Sequence, residues 1–159
     1  MRILGIDPGL AIVGYCVLDY DSIITKHTIV DCGSIQTSKL LSNSQRLVEI
    51  HKDLIYLIEK FKPEAAAVEQ LFYFKNAKTI TNVSEARGVI LMTLEMLNVP
   101  VFEYTPLVVK QTITGYGRAG KDEVKNMIQV LCEGQRIPKL DDTTDAIAIA
   151  VCQTMLRDQ

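Results

Sequence analysis

Residues Arg2 to Ile35, RILGIDPGLAIVGYCVLDYDSIITKHTIVDCGSI, decide the fold class. Arg2 to Asp7 is a short apolar run stopped by Pro8-Gly9, where proline presets φ for a turn and glycine accepts a positive φ. Ile12 to Tyr20 is rich in β-branched and aromatic residues and predicts a second strand. Asp19 to Ser22 supplies turn residues, and Ile23 to Ile35 reads as a third strand. Short connections between three consecutive strands imply an antiparallel meander. That opening weighs against a doubly wound dinucleotide fold, which wants β-α-β from the start.

Beyond the meander the period changes. Leu47, Ile50, Leu54, Leu57, Ile58 and Phe61 recur at three- and four-residue spacing and predict an amphipathic helix, with Ser42, Asn43 or Ser44 as N-cap. Pro63 follows its end. Ala65 to Glu69 is a short apolar strand without polar alternation, which suits a central position buried on both faces. A second long helix is predicted from about Asn76 to Leu97, with Ile80, Val83, Val89 or Ile90, Leu94 and Leu97 as its apolar stripe. Val99 to Tyr104 predicts a fifth strand. Helical segments follow over Pro106 to Thr112 and Asp122 to Cys132, joined by Gly115-Tyr-Gly-Arg-Ala-Gly120, which reads as a mobile link. The last helix runs from about Asp142 to Leu156. The order implies one α/β domain with a mixed sheet over residues 1–159.

Composition narrows the chemistry. The chain has 159 residues, 48% of them hydrophobic, enough for a sizeable core. Its net charge of −2 means that any nucleic-acid surface must be a local patch. Two histidines, His27 and His51, are too few for a His-rich metal centre. Cys16, Cys32, Cys132 and Cys152 form no CxxC pair and read as small buried thiols. The N-terminus shows no export signal and no run spans a bilayer, so a cytoplasmic, non-membrane protein is expected.

The acids need explaining. Asp7 ends a buried strand beside Pro-Gly; capping that turn is its structural alternative. Glu69 closes Ala-Ala-Ala-Val, where an apolar residue is expected; reaching solvent or a lysine is its alternative. Asp141, Asp142 and Asp145 precede the apolar run Ala146 to Val151, and three acids exceed what helix capping needs. Asp142 and Asp145 share a helix face, and so do Asp141 and Asp145, so spacing leaves both pairs open. If the strands of Asp7 and Glu69 are neighbours, the last helix can lay its acidic start against their ends. Carboxylates held that close repel one another unless a counter-charge is present. Hard divalent cations supply it through oxygen ligands, and two of them roughly 3.5–4 Å apart can clamp a phosphodiester.

Leu4-Gly-Ile-Asp-Pro-Gly9 with Gly14-Tyr15 resembles the opening of the RuvC Holliday-junction resolvases. Also similar are Val68-Glu-Gln-Leu-Phe72 with Lys75-Asn-Ala77, Ala86-Arg-Gly88, and Val101-Phe-Glu-Tyr104 with Val109-Lys-Gln-Thr112. The Gly-Tyr-Gly link with Lys121 and the run Asp142-Thr-Thr-Asp-Ala-Ile-Ala148 complete the set, in family order over nearly the whole chain. The resemblance implies an RNase H-like fold: a five-stranded mixed sheet flanked by helices. It implies a homodimeric endonuclease that cuts four-way junctions with paired symmetric nicks, leaving 5′-phosphate and 3′-hydroxyl ends. Its metal-binding acids fall on Asp7, Glu69, Asp142 and Asp145, with Asp141 as an extra acid. Two Mg²⁺ per active site are implied, with Mn²⁺ as substitute, and a branch-migration motor as partner.

By the same resemblance the phosphate-contacting lysines are Lys110 and Lys121, Lys121 acting at the scissile phosphate, and Phe72 stacks on a base. Lys75 and Lys78, beside Phe72, would hold DNA phosphates, and Arg87, Arg118 and Lys125 would extend that DNA-binding strip. Tyr73 and Phe74 make the stretch after Glu69 unusually aromatic, and core or interface packing is the alternative for part of it. Competing functions are an RNase H-like nuclease acting on RNA, such as a pre-rRNA-processing enzyme, and a non-catalytic junction-binding scaffold. An actin-like phosphate binder needs a second phosphate loop that the chain lacks.

Overall fold

The computed structural model describes residues 1–70, 77–138 and 140–157, with only the backbone for 77–79. The elements are β1 (Arg2–Asp7), β2 (Ile12–Asp21), β3 (Lys26–Gln36), α1 (Asn43–Phe61), β4 (Ala65–Glu69), α2 (Ala77–Met96), β5 (Val101–Tyr104), α3 (Pro106–Thr114), α4 (Lys121–Leu131) and α5 (Asp141–Arg157). The strands form one sheet in the order β3-β2-β1-β4-β5. The meander is antiparallel, whereas β4 runs parallel to both β1 and β5.

Strand periodicity sorts the sheet residues into two cores. Ile3, Cys16, Leu18 and Ala67 face α3, α4 and α5. Leu4, Ile6, Val13, Val17, Ala66 and Val68 face α1 and α2. The result is three layers, with the sheet in the middle. Every residue of α5 from Ala146 to Thr154 is buried, as a helix covered on all sides requires. Each fully buried Ile or Leu in these cores contributes about 1.5–3 kcal/mol of transfer free energy. At the amino end of β1, the Arg2 guanidinium grips Asp19 of β2 through two 2.8 Å hydrogen bonds.

Helix ends follow the sequence signals. Ser42 caps α1 in a capping box: its Oγ accepts from the Gln45 N–H at 3.3 Å, and Gln45 Oε1 accepts from the Ser42 N–H at 2.9 Å. Thr105 caps α3, with Pro106 in its first turn. Among the described residues no helix is long and apolar enough to cross a membrane. The four cysteines are free, three of them buried and Cys32 half-buried.

Three expectations need correction. The third strand begins at Lys26, not Ile23. Asp21 Oδ1 accepts from the Ile23 N–H at 2.9 Å, building a turn that leaves Ile23 and Ile24 92% and 62% exposed. On α2 the buried residues are Ala86, Ile90, Thr93 and Leu94, while Ile80 is exposed, so the stripe is displaced toward the carboxyl end. The glycine-rich link is tied down rather than loose. The Gln111 amide donates to the Gly115 carbonyl at 2.7 Å and accepts from the Gly117 N–H at 2.9 Å, and Ala119 is buried.

Candidate active site

Asp7 continues the series Ile3, Gly5 on β1, and Glu69 continues Ala65, Ala67 on β4. Both series face the layer of α5. Ile6 pairs with Val68 in the parallel register, so the two acids end adjacent strands on the same face. The third component arrives on α5. An added Cβ on Gly14, the residue paired with Asp7, would lie 2.0 Å from the Asp142 carbonyl oxygen. An added Cβ on Gly5 would lie 2.2 Å from the Ala146 carbonyl oxygen. Two glycines therefore let the backbone of α5 rest directly on β1 and β2, with its acidic first turn at the carboxyl end of the sheet.

The threonines between the acids fix the helix rotation. Thr143 Oγ1 donates to the Gly33 carbonyl of β3 at 3.2 Å, and Thr144 Oγ1 donates to the Leu140 carbonyl at 3.1 Å. Both are buried, whereas Asp142 and Asp145 remain partly accessible. Sequence reasoning passed over these residues. The signal available was a pair of hydroxyls lying between two acids spaced i, i+3.

The electrostatics identify one acidic centre. Burial, then repulsion from Glu69, Asp145 and Asp142, pushes the Asp7 carboxyl up to about 8. Burial and Asp145 push Glu69 up to about 7, against the pull of Lys110. Asp145 is raised as well, chiefly by burial, with Lys121 and Lys110 acting in the opposite direction. Among the described residues, no three acidic, histidine or cysteine side chains meet at one ion-sized point. The acids are electrostatic neighbours rather than a closed chelate. As a donor set they fit a hard divalent cation: all offer oxygen atoms and are partly buried, and Glu69, Asp145 and Asp142 together raise the cost of ionising Asp7.

The cations distribute unevenly. Lys121 opens α4 and is ion-paired with Asp141 at 3.0 Å; both are about 70% exposed. That pairing gives Asp141 a cationic partner. Lys110 on α3 is half-buried and near Glu69 and Asp145, while Arg118 is exposed. Arg87 is half-buried and ion-paired with Glu103, tying α2 to β5. Phe72, Tyr73, Phe74 and Lys75 lie outside the described residues, as does the side chain of Lys78.

A family model described as crossover junction endodeoxyribonuclease RuvC matches residues 3–153. The chain belongs to the RuvC family. It is 48% identical over 151 residues to the RuvC of Fusobacterium nucleatum, covering 95% of this chain and 78% of that protein. With the RuvC of Halothermothrix orenii it shares 47% identity over 152 residues, covering 96% and 91%. The fold superposes on Thermus thermophilus RuvC, solved in complex with a Holliday junction substrate, at a TM-score of 0.91 and 30% identity, covering 99% and 94% of the two chains. The five-stranded mixed sheet with its helices is thus the RNase H-like fold of a RuvC nuclease.

Proposed function

We propose that the chain resolves four-way DNA junctions by hydrolysing one phosphodiester in each of two strands. The observation that carries this reading is the juxtaposition of Asp7 and Glu69 on one sheet face with the acidic start of α5, in a member of the RuvC family. Asp7, Glu69, Asp142 and Asp145 would hold the divalent ions, Mg²⁺ by choice of ligands and Mn²⁺ as substitute. Such ions lower the pKa of an attacking water and neutralise charge on the scissile phosphate.

The chain's own residues supply position and exclusion. Asp7 and Glu69 sit on rigid strands, so their carboxylates are preorganised. Lys110 offsets the field of Glu69 and Asp145. Lys121 is exposed enough to exchange Asp141 for a phosphate oxygen as DNA arrives. Phe72 is assigned base stacking, and Lys75, Lys78 and Arg118 backbone contacts. Two copies would act together as a homodimer on the two strands, with a branch-migration motor as a further partner.

The test is cleavage of a labelled mobile four-way junction beside a linear duplex of matching sequence. Paired symmetric nicks on the junction, lost with EDTA, are expected. Junction binding without cleavage under Mg²⁺ and Mn²⁺ would leave a scaffold; cleavage of RNA alone would redirect the reading to RNA processing. Lys121 adds a second expectation. Asp141→Asn removes an exposed ion pair, so the melting temperature should hold steady. Junction binding should tighten a few-fold at low salt, because Lys121 is freed and a negative charge is gone. Weaker binding by Asp141→Asn would show instead that the pair positions Lys121.

A further inference from the structure

Lys110 and Lys121 belong to α3 and α4, on the sheet face that carries α5. The carboxyl ends of β1 and β4 also border the other face, where α1 and α2 pack. A cleft of about 320 Å³ opens at that point. Its walls are the Gly9–Ile12 turn, Arg46 from α1, Asn82 and Val83 from α2, and Asp142 of the acidic centre.

Arg46 is held in a defined orientation. Its Nε donates to Thr37 Oγ1 at 2.8 Å, and that buried hydroxyl donates to the Leu10 carbonyl at 2.5 Å. The Thr37 N–H donates to the Ala11 carbonyl at 3.1 Å. Arg46 makes no ion pair among the described residues, although it is half-buried. Bracing the turn uses one of the five guanidinium donors and none of the charge. Bracing the turn needs only a neutral donor, so the charge and the remaining donors of the guanidinium are surplus to that role. Asn82 Oδ1 accepts from the Asn43 amide at 3.2 Å, which leaves the Asn82 NH₂ as a donor at the cleft.

We propose that Arg46, with Asn82 beside it, is a second phosphate anchor. It binds a backbone phosphodiester of the strand being cut, on the α1–α2 side of the acids. The planar guanidinium, fixed through Nε, presents its terminal N–H groups as a fork suited to two phosphate oxygens. The cut strand is then gripped from both faces of the sheet, Lys110 and Lys121 on one and Arg46 on the other. This assignment rests on the nuclease reading above.

The experiment is binding of a fluorescent four-way junction in EDTA, from roughly 50 to 200 mM salt. Arg46→Gln should weaken binding and reduce the slope of log affinity against log salt by about one. Thr37→Val, which loosens the brace and keeps the charge, should retain the parent slope. Asn82→Asp leaves Arg46 and its brace intact, places a carboxylate in the cleft, and should also weaken binding and flatten the slope. It keeps the test decisive if Arg46→Gln folds poorly. A parent slope in Arg46→Gln or in Asn82→Asp overturns the anchor. A parent protein that neither binds nor cuts the junction overturns the nuclease reading instead.

Discussion

Asp7→Asn is expected to abolish junction cleavage and to stabilise the metal-free protein at pH 8. The loss of activity should be on the order of 10³-fold or more, since a carboxylate and its charge leave the acidic centre. The gain in stability follows from the carboxyl being pushed up to about 8 by burial and by Glu69, Asp145 and Asp142. Between the ordinary value of 3.8 and about 8, the folded protein keeps a proton that the unfolded chain has released. The unfolded state binds fewer protons there, so this group makes stability fall as pH rises through that window. Glu69 acts in the same sense up to about 7. Asp19, held below its ordinary range by hydrogen bonding to Arg2, has the opposite sign: its contribution is lost as pH falls, and exposure keeps it small. Asparagine removes the Asp7 contribution, for a gain on the order of 1–3 kcal/mol at pH 8. In a chain of this size that is several degrees of melting temperature, roughly 3–10 °C. Saturating Mg²⁺ should stabilise the parent and close the gap, because binding to the folded state adds stability by mass action. Thermal melts at pH 5 and pH 8, with and without Mg²⁺, measure this. An Asp7→Asn protein no more stable than its parent at pH 8 without metal would mean that the carboxylate is not held at a cost.

The parts of this site that could be read from sequence are those governed by strand parity and helix spacing. Asp7 and Glu69 stand out because each ends an apolar strand, and their shared face follows once β1 and β4 are neighbours. That adjacency is a property of sheet order, which no local pattern contains. The surroundings of Asp141 are likewise non-local, since Lys121, 20 positions upstream, meets it in space. Arg87 was expected in the basic strip, and no local pattern announces its ion pair with Glu103 on the edge strand β5. Ile23 and Ile24 mimic strand residues by propensity alone, yet Asp21 captures their backbone N–H groups and turns the chain. The glycines of the 115–120 link suggested looseness, but the side chain of Gln111 closes on that link through both its amide groups. For Ile23, Ile24 and the 115–120 link, a side chain only a few residues away overrode the local preference.

Gly14→Ala is the second large effect, because it tests how the acidic centre is assembled rather than what it contains. A methyl group there would stand 2.0 Å from the Asp142 carbonyl oxygen and 2.5 Å from its carbonyl carbon. Backbone, unlike the tip of a side chain, cannot swing aside, so α5 must lift from β2 or slide along it. Overpacking of this kind costs about 3 kcal/mol. Thr143 and its bond to the Gly33 carbonyl resist the shift, so the strain falls on the start of α5, which carries Asp142 and Asp145. Displacing a catalytic group by about 1 Å costs on the order of 10²-fold in rate. Gly14→Ala should therefore melt well below the parent and, assayed far below that melting point, still cleave junctions about 10²-fold more slowly. Gly88→Ala on α2 is the matched control. Its methyl meets nothing within 4 Å, and alanine favours the helix by roughly 0.5–1 kcal/mol, so stability should rise slightly. A Gly14→Ala protein with parent stability and parent rate would mean that α5 does not rest on β2 at Asp142. The acids would then have to be brought together some other way.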